Sequence, residues 1–264
     1  MTATVAHSPK GIAARFVEGR RTCAGFPDFP GPLPETLDAA YAIQTEAIAQ
    51  WTRPVTGWKV GRITGGFERT LGEDRFLGPI FADSVWTADA GTPAPFPVIE
   101  AGFAALEAEL VARVDCPVLT GAISVDDAAA TIIDWHIGIE VAGSPCAAIN
   151  DLGPLSSIAG FGNNIGLILG PRIAIANPAE AQCRVVIDGA ELGSRKAAAL
   201  PGGPMTAIAF ALNKLHALGH VSANGILVST GAITGVHAVI AGQSCTATFN
   251  PGGTLVCQTA AALP

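Results

Sequence analysis

The sequence predicts an α+β fold in which a sheet-rich body follows a smaller helical segment. Two observations carry this. From Glu35 to Trp51 there is neither glycine nor proline, and Leu37, Ala40, Tyr41, Ile48 and Trp51 recur near a helical repeat. After Thr56 the texture changes to short apolar runs broken by Gly and Pro, such as GWKVG, GPIF, IGLILG, CRVVIDG and GILVST. The expected division is a helical segment over 1–55 and a β-rich body over 56–264.

Each element has its own signal. GFPDFPGPLP ahead of the Glu35–Trp51 helix is proline-rich and predicts an ordered irregular connector. The stretches around Val185 to Ile187, Ile226 to Val228 and Thr246 to Phe249 are β-branched or aromatic and bounded by turn residues, as strands are. Two helices are expected to interrupt the strands. SVDDAAATIIDWHIG offers Ser124 as an N-cap with Asp126 and Asp127 in the first turn. Pro204 to Leu218 forms the other, with Gly219 as its C-cap.

Composition bounds the function. The 264 residues are 49% hydrophobic and 14% charged, against about 25% charged for a typical soluble domain. Mean hydropathy is +0.42, yet no run of about 18 uncharged apolar residues predicts a membrane span. Sparse charge points to a homo-oligomer, since interfaces between subunits shed charged residues. The net charge of −7 and the absence of a Lys/Arg cluster argue against nucleic acid as a partner. The opening MTATVAHSPKGIAARF lacks the apolar core of a secretory signal. Six scattered cysteines without a C-x-x-C pair suggest reduced, buried thiols and a cytoplasmic location.

The chemistry concentrates in ALEAEL, Ala105 to Leu110, where Glu107 and Glu109 interrupt an apolar stretch. Ala, Leu and Glu favour a helix, which would send the two carboxylates to nearly opposite sides and into solvent. A strand would put both on one face, with Leu106, Ala108 and Leu110 behind them. Adjacent carboxylates repel unless a cation sits between them, and hard oxygen ligands suit Mg²⁺ or Mn²⁺. Glu140, in HIGIEVAGSP just after the helix that begins near Ser124, is a third carboxylate in an apolar setting. By itself it is equally a cap or a paired surface residue.

Four motifs occur in a fixed order: G-W-K-V-G (Gly57 to Gly61), L-E-A-E-L (Leu106 to Leu110), I-E-V-A-G-S (Ile139 to Ser144) and S-T-G-A-I-T (Ser229 to Thr234). With A-Y-A-I-Q (Ala40 to Gln44), they resemble a group within the fumarylacetoacetate hydrolase superfamily. That group comprises the 2-keto-4-pentenoate hydratases, 2-oxohept-3-ene-dioate hydratases and 4-oxalocrotonate decarboxylases. The resemblance implies a mixed β-roll behind a smaller helical portion, and a divalent ion, Mg²⁺ or Mn²⁺, held by Glu107, Glu109 and Glu140. It implies Lys59 as the active-site lysine, Thr230 and Gly231 as a loop beside the substrate, and a small 2-oxo acid as that substrate. The reaction implied is hydration of a 2-hydroxy-2,4-dienoate in the degradation of aromatic compounds. Decarboxylation of a 2-oxo-enedioate is the alternative, and Arg62, Arg69 and Arg75 lie in the region that could meet a second carboxylate. A catalytically impaired binding or assembly subunit is the third reading.

Two departures motivate that third reading. The family aspartate of P-D-F-G is absent from R-F-L-G (Arg75 to Gly78), where Phe76 takes its place and Asp74 lies two positions away. A segment of the A-D-N-A-S type reads A-G-F-G-N (Ala159 to Asn163), expected to remove an acid and an amide. Other signals are weaker. His216 and His220 lack the H-E-x-x-H of a zinc protease. His136 reads as a packed helix end, and GFGNNIG is no dinucleotide fingerprint.

Overall fold

The computed structural model describes residues 7–88, 92–115, 121–220 and 225–264. Two helices come first, α1 (Pro9–Thr22) and α2 (Leu37–Trp51), capped by the side chains of Ser8 and Thr36. Strands β1 (Val55–Arg62) and β2 (Arg75–Phe81) follow, separated by the short helix α3 (Phe67–Leu71). Then come β3 (Val85–Thr87), β4 (Ala94–Val98), β5 (Phe103–Val114), α4 (Val125–Ala129), β6 (Ile132–Ser144), α5 (Pro154–Ala159) and β7 (Asn164–Ile173). The remainder is β8 (Gln182–Ile187), β9 (Ala190–Lys196), α6 (Gly203–Ala217), β10 (Ile226–Ser229), β11 (His237–Ala238), β12 (Ser244–Asn250) and β13 (Gly253–Ala261).

Among these strands, one sheet runs β2-β1-β10-β5-β6-β7-β3 with β11 added to β5, and the other runs β4-β13-β12-β8-β9. Both are mixed: β1:β10, β3:β7 and β4:β13 are parallel and the other pairs antiparallel. The larger sheet curls until β2 approaches β7, which is the mixed β-roll of the expectation. One face turns inward, where Ile80, Val111, Leu167 and Leu227 form a small apolar plug. The opposite face of β5 carries Leu106, Ala108 and Leu110 into a large core shared with α6 and the second sheet. Helices α1 and α2 pack on Phe81 and Phe161 through Phe16, Val17 and Ile43.

One expected helix is much shorter than predicted. Ser124 caps α4 through a full capping box with Asp127, but the helix stops at Ala129. The β-branched residues from Thr131 to Ile133 then favour extension, and Ile132 starts β6. Glu140 is therefore in mid-strand rather than after a helix. His136 is also a strand residue, bonded to Gly170 O through Nδ1 (2.9 Å) and to Asp134 through Nε2 (3.1 Å). Four of the five described cysteines are buried and all five are free; Cys116 lies outside the described residues. No described helix is long and apolar enough to cross a membrane.

Candidate metal centre

Strand β5 resolves the ambiguity of ALEAEL. Its backbone is paired on both sides, to β6 along its length and to β10 and β11 on the other edge. Ladder hydrogen bonds and burial on both faces override the helical preference of Ala, Leu and Glu. Glu107 and Glu109 consequently share the inward face, and Glu107 stands directly opposite Glu140 of β6. One ligand oxygen from each of the three lies within 4.8 Å of the others. Among the described residues this is the only cluster of three or more His, Cys, Asp or Glu placed to hold an ion.

Neighbouring residues fix one oxygen of two of these carboxylates and leave the other free. Glu109 Oε2 accepts from Ser229 Oγ (2.5 Å) and from the Gly231 backbone N–H (2.8 Å). Glu140 Oε1 accepts from Asn164 Nδ2 (3.0 Å) and pairs with Lys59 Nζ (3.2 Å). Glu109 Oε1 and Glu140 Oε2 are buried without any partner. Buried polar atoms are rarely left so, and each orphan is costly. Gly231 has φ 110°, a conformation that glycine adopts without strain, and this aims its N–H at Glu109. Thr230 turns its hydroxyl away to Leu110 O (2.9 Å) and closes the β10–β5 edge. Lys59 reaches the cluster because β1 runs parallel to β10, with Lys59 opposite Ser229.

The electrostatics depart from neutrality in one direction. Burial and Glu140 raise the Glu107 carboxyl to about 7, with Lys59 opposing. Burial, Glu140 and Glu107 raise Glu109 well above the carboxylate range, against Ser229 and Lys59. Burial pulls the Lys59 ammonium down, but Glu140, Glu107 and Glu109 together outweigh it and hold the group charged. With all three carboxylates ionised against one ammonium, two negative charges are in excess. That excess is the charge of one divalent cation, so donor type, orphaned oxygens and charge all fit Mg²⁺ or Mn²⁺.

A cavity of about 530 Å³ opens onto Lys59 and Glu107, its walls including Arg62, Phe76, Asn163 and Gly231. The Phe76 ring lies 5.2 Å from Lys59 Nζ. It fits only because residue 61 is glycine: a Cβ there would come within 2.2 Å of the ring. Asp74 does not replace the absent aspartate, since it binds Arg75 (2.7 Å) and Arg62 (3.3 Å). Phe161 stands where the amide is absent, but two amides follow two and three positions later: Asn163 on the cavity wall and Asn164 on Glu140. Asp151, exposed at the cavity, Asn164 and Ser229 are residues that sequence reasoning missed. Arg69 is exposed on α3, and His220 packs on the Trp58 ring at 4.8 Å.

No protein-family model and no curated protein matches the chain. Among solved structures, 4-oxalocrotonate decarboxylase from Pseudomonas putida G7, complexed with calcium and acetate, aligns with a TM-score of 0.80 at 18% identity, over 98% of this chain and 99% of that one. The chain has the fumarylacetoacetate hydrolase fold. Other solved structures align over less of the chain. Fumarylpyruvate hydrolase from Pseudomonas aeruginosa, in complex with Mn²⁺ and pyruvate, gives 0.56 at 19% identity, over 80% of this chain and 91% of that one. The 5-carboxymethyl-2-hydroxymuconate delta-isomerase from Mycobacterium smegmatis gives 0.56 at 18%, over 80% and 81%.

Proposed function

We propose that the chain is a divalent-metal-dependent lyase acting on small 2-oxo acids, with hydration of a 2-hydroxy-2,4-dienoate to a 4-hydroxy-2-oxo acid as its reaction. Two orphaned buried oxygens, Glu109 Oε1 and Glu140 Oε2, in a cluster that brings Glu107, Glu109 and Glu140 within 4.8 Å of one another, carry this reading. Solved structures of the same fold in complex with magnesium and adipate, or with Mn²⁺ and pyruvate, support it.

Glu107, Glu109 and Glu140 would hold the ion, and Ser229, Gly231 and Asn164 orient two of them. Mg²⁺ or Mn²⁺ held there would supply a Lewis acid that stabilises the negative charge developing on a 2-oxo acid substrate. Lys59 Nζ offers its remaining N–H groups to the substrate carboxylate. Glu140, Glu107 and Glu109 hold its ammonium charged, so it presents a fixed positive charge to that carboxylate. The dienol loses its O2 proton and gains one at C5; water then adds at C4 and a proton at C3. Val60, Phe76 and Leu200 line the cavity and limit bulk water, while Asp151 and Asn163 offer polar contacts for the added water. Incubation with 2-hydroxypenta-2,4-dienoate tests the reading. Loss of the dienol absorbance should require Mg²⁺ or Mn²⁺, and persistent absorbance with the ion bound would refute hydration.

One observation favours a second reaction, decarboxylation of a 2-oxo-enedioate. Arg62 and Arg75 share the single carboxylate of Asp74, and Arg75 also donates to Pro201 O (2.5 Å). One positive charge is left over beside the cavity that Arg62 lines, where a distal carboxylate would fit. In that reaction the bond to the distal carboxylate breaks, CO₂ leaves, and the electron pair passes through the double bond to the 2-oxo oxygen. Arg62→Gln should raise KM for a dicarboxylic 2-oxo acid roughly 10-fold, the scale of a hydrogen bond to a charged group. KM for a monocarboxylic one should not change. CO₂ release from 4-oxalocrotonate distinguishes this reaction from hydration.

A further inference from the structure

We propose that Arg20, on the N-terminal helix α1, is a positioning residue for the metal-ligating Glu140 and acts through Asn164; the inference rests on the metal reading above. The Arg20 side chain is buried against the rings of Trp51, Phe81 and Phe161 at 5.0–5.3 Å. Its Nη1 donates to Asn164 O (2.9 Å), and its Nη2 to Ile165 O (2.6 Å) and Ser84 Oγ (3.5 Å). None of these partners is a carboxylate. A buried guanidinium spent on two consecutive backbone carbonyls is unusual, and the ladder shows what it holds.

Between β6 and β7, Glu140 pairs with Leu167 and Val141 with Gly166, but Ala142 pairs with Asn164. Ile165 is thus the extra residue of a β-bulge. Three positions along an unbroken strand would turn Asn164 to the face opposite Leu167. The extra residue turns it back toward Glu140, where Nδ2 meets Oε1 at 3.0 Å. Arg20 donates to the carbonyls of Asn164 and Ile165, at the bulge itself. Burial lowers the guanidinium only to about 10, so it stays charged at neutral pH. The consequence is a continuous chain of contacts from α1 to the ion site. Partners one step outside a metal's ligands typically govern affinity 10–100-fold.

Mn²⁺ affinity, read from free Mn²⁺ by electron paramagnetic resonance, tests this in a double-mutant cycle. Asn164→Ala and Arg20→Met should each weaken binding roughly 10-fold or more, and Arg20→Lys, which can serve only one carbonyl, should fall between. If Arg20 acts through Asn164, Arg20→Met should cost almost nothing further in the Asn164→Ala background. Wild-type affinity in Arg20→Lys and Arg20→Met, or a full Arg20 penalty without Asn164, would overturn the proposal and leave the metal reading intact. If Arg20→Met does not fold, the cycle is read with Arg20→Lys. Failure of the wild-type chain to bind Mn²⁺ overturns both.

Discussion

Lys59→Met is expected to lower the melting temperature of the metal-free protein by roughly 10 °C at pH 8, and by much less at pH 5.5. The ammonium is the cation paired with Glu140 at 3.2 Å, and both side chains are almost fully buried. Removing one partner of a buried ion pair typically costs about 3–5 kcal/mol because the other charge is left uncompensated. In a chain of this size each kcal/mol corresponds to about 2–4 °C. The pH dependence follows from Glu107. Its carboxyl is raised from 4.5 to about 7 in the fold, so the folded state binds a proton more tightly than the unfolded one. Its contribution is fully present below about 4.5 and disappears as pH rises through about 7. Without Lys59 that loss deepens, since protons are then the remaining compensation. Millimolar Mn²⁺ should restore most of the lost melting temperature, as any ligand of the native state does. Circular dichroism melts at the two pH values check this; equal melting temperatures of variant and wild type at pH 8 would count against the electrostatic account.

Glu107→Gln should have the opposite effect on the fold and the larger effect on function. It removes one of the two excess negative charges and keeps the side-chain volume, so the metal-free protein should melt a few degrees higher at pH 8. Affinity for Mn²⁺ should fall by more than about 100-fold, beyond the loss that follows removal of an outer partner. Metal-dependent turnover should fall with it, by about 1000-fold at fixed metal. Glu107 faces the cavity and lacks the Ser229 and Gly231 contacts that brace Glu109. Its replacement should therefore perturb the surrounding structure least. Retained Mn²⁺ affinity in a folded Glu107→Gln protein would remove it from the ion site.

The sequence shows some of this and hides the rest, for identifiable reasons. The alternation of Glu107 and Glu109 with Leu106, Ala108 and Leu110 fits a strand with a polar inner face. Local propensity favours a helix, and only pairing with β6 and β10 decides. Asp126 and Asp127 mark a genuine helix start; the stop lies in Thr131 to Ile133, whose β-branches outweigh the cap and put Glu140 in mid-strand. The residues that orient the site, Ser229, Asn164 and Arg20, are ordinary polar residues up to 145 positions from their partners. Asn164 faces Glu140 only because of a bulge, which leaves no compositional signature. The loss of the aspartate at Phe76 was legible. Its consequence, a ring admitted by Gly61 and laid toward Lys59, depended on register.

The central claim is that one divalent cation answers the two excess negative charges shared by Glu107, Glu109, Glu140 and Lys59. Calorimetric titration of Mn²⁺ into the wild-type chain at pH 7, in two buffers of different ionisation enthalpy, tests it most directly. The account predicts one ion per chain, with protons released on binding because the raised Glu107 and Glu109 carboxyls must ionise. The same titration into Glu109→Gln should show no comparable site. Saturable binding with no proton release and undiminished in Glu109→Gln, or no binding to the wild-type chain, would contradict the account.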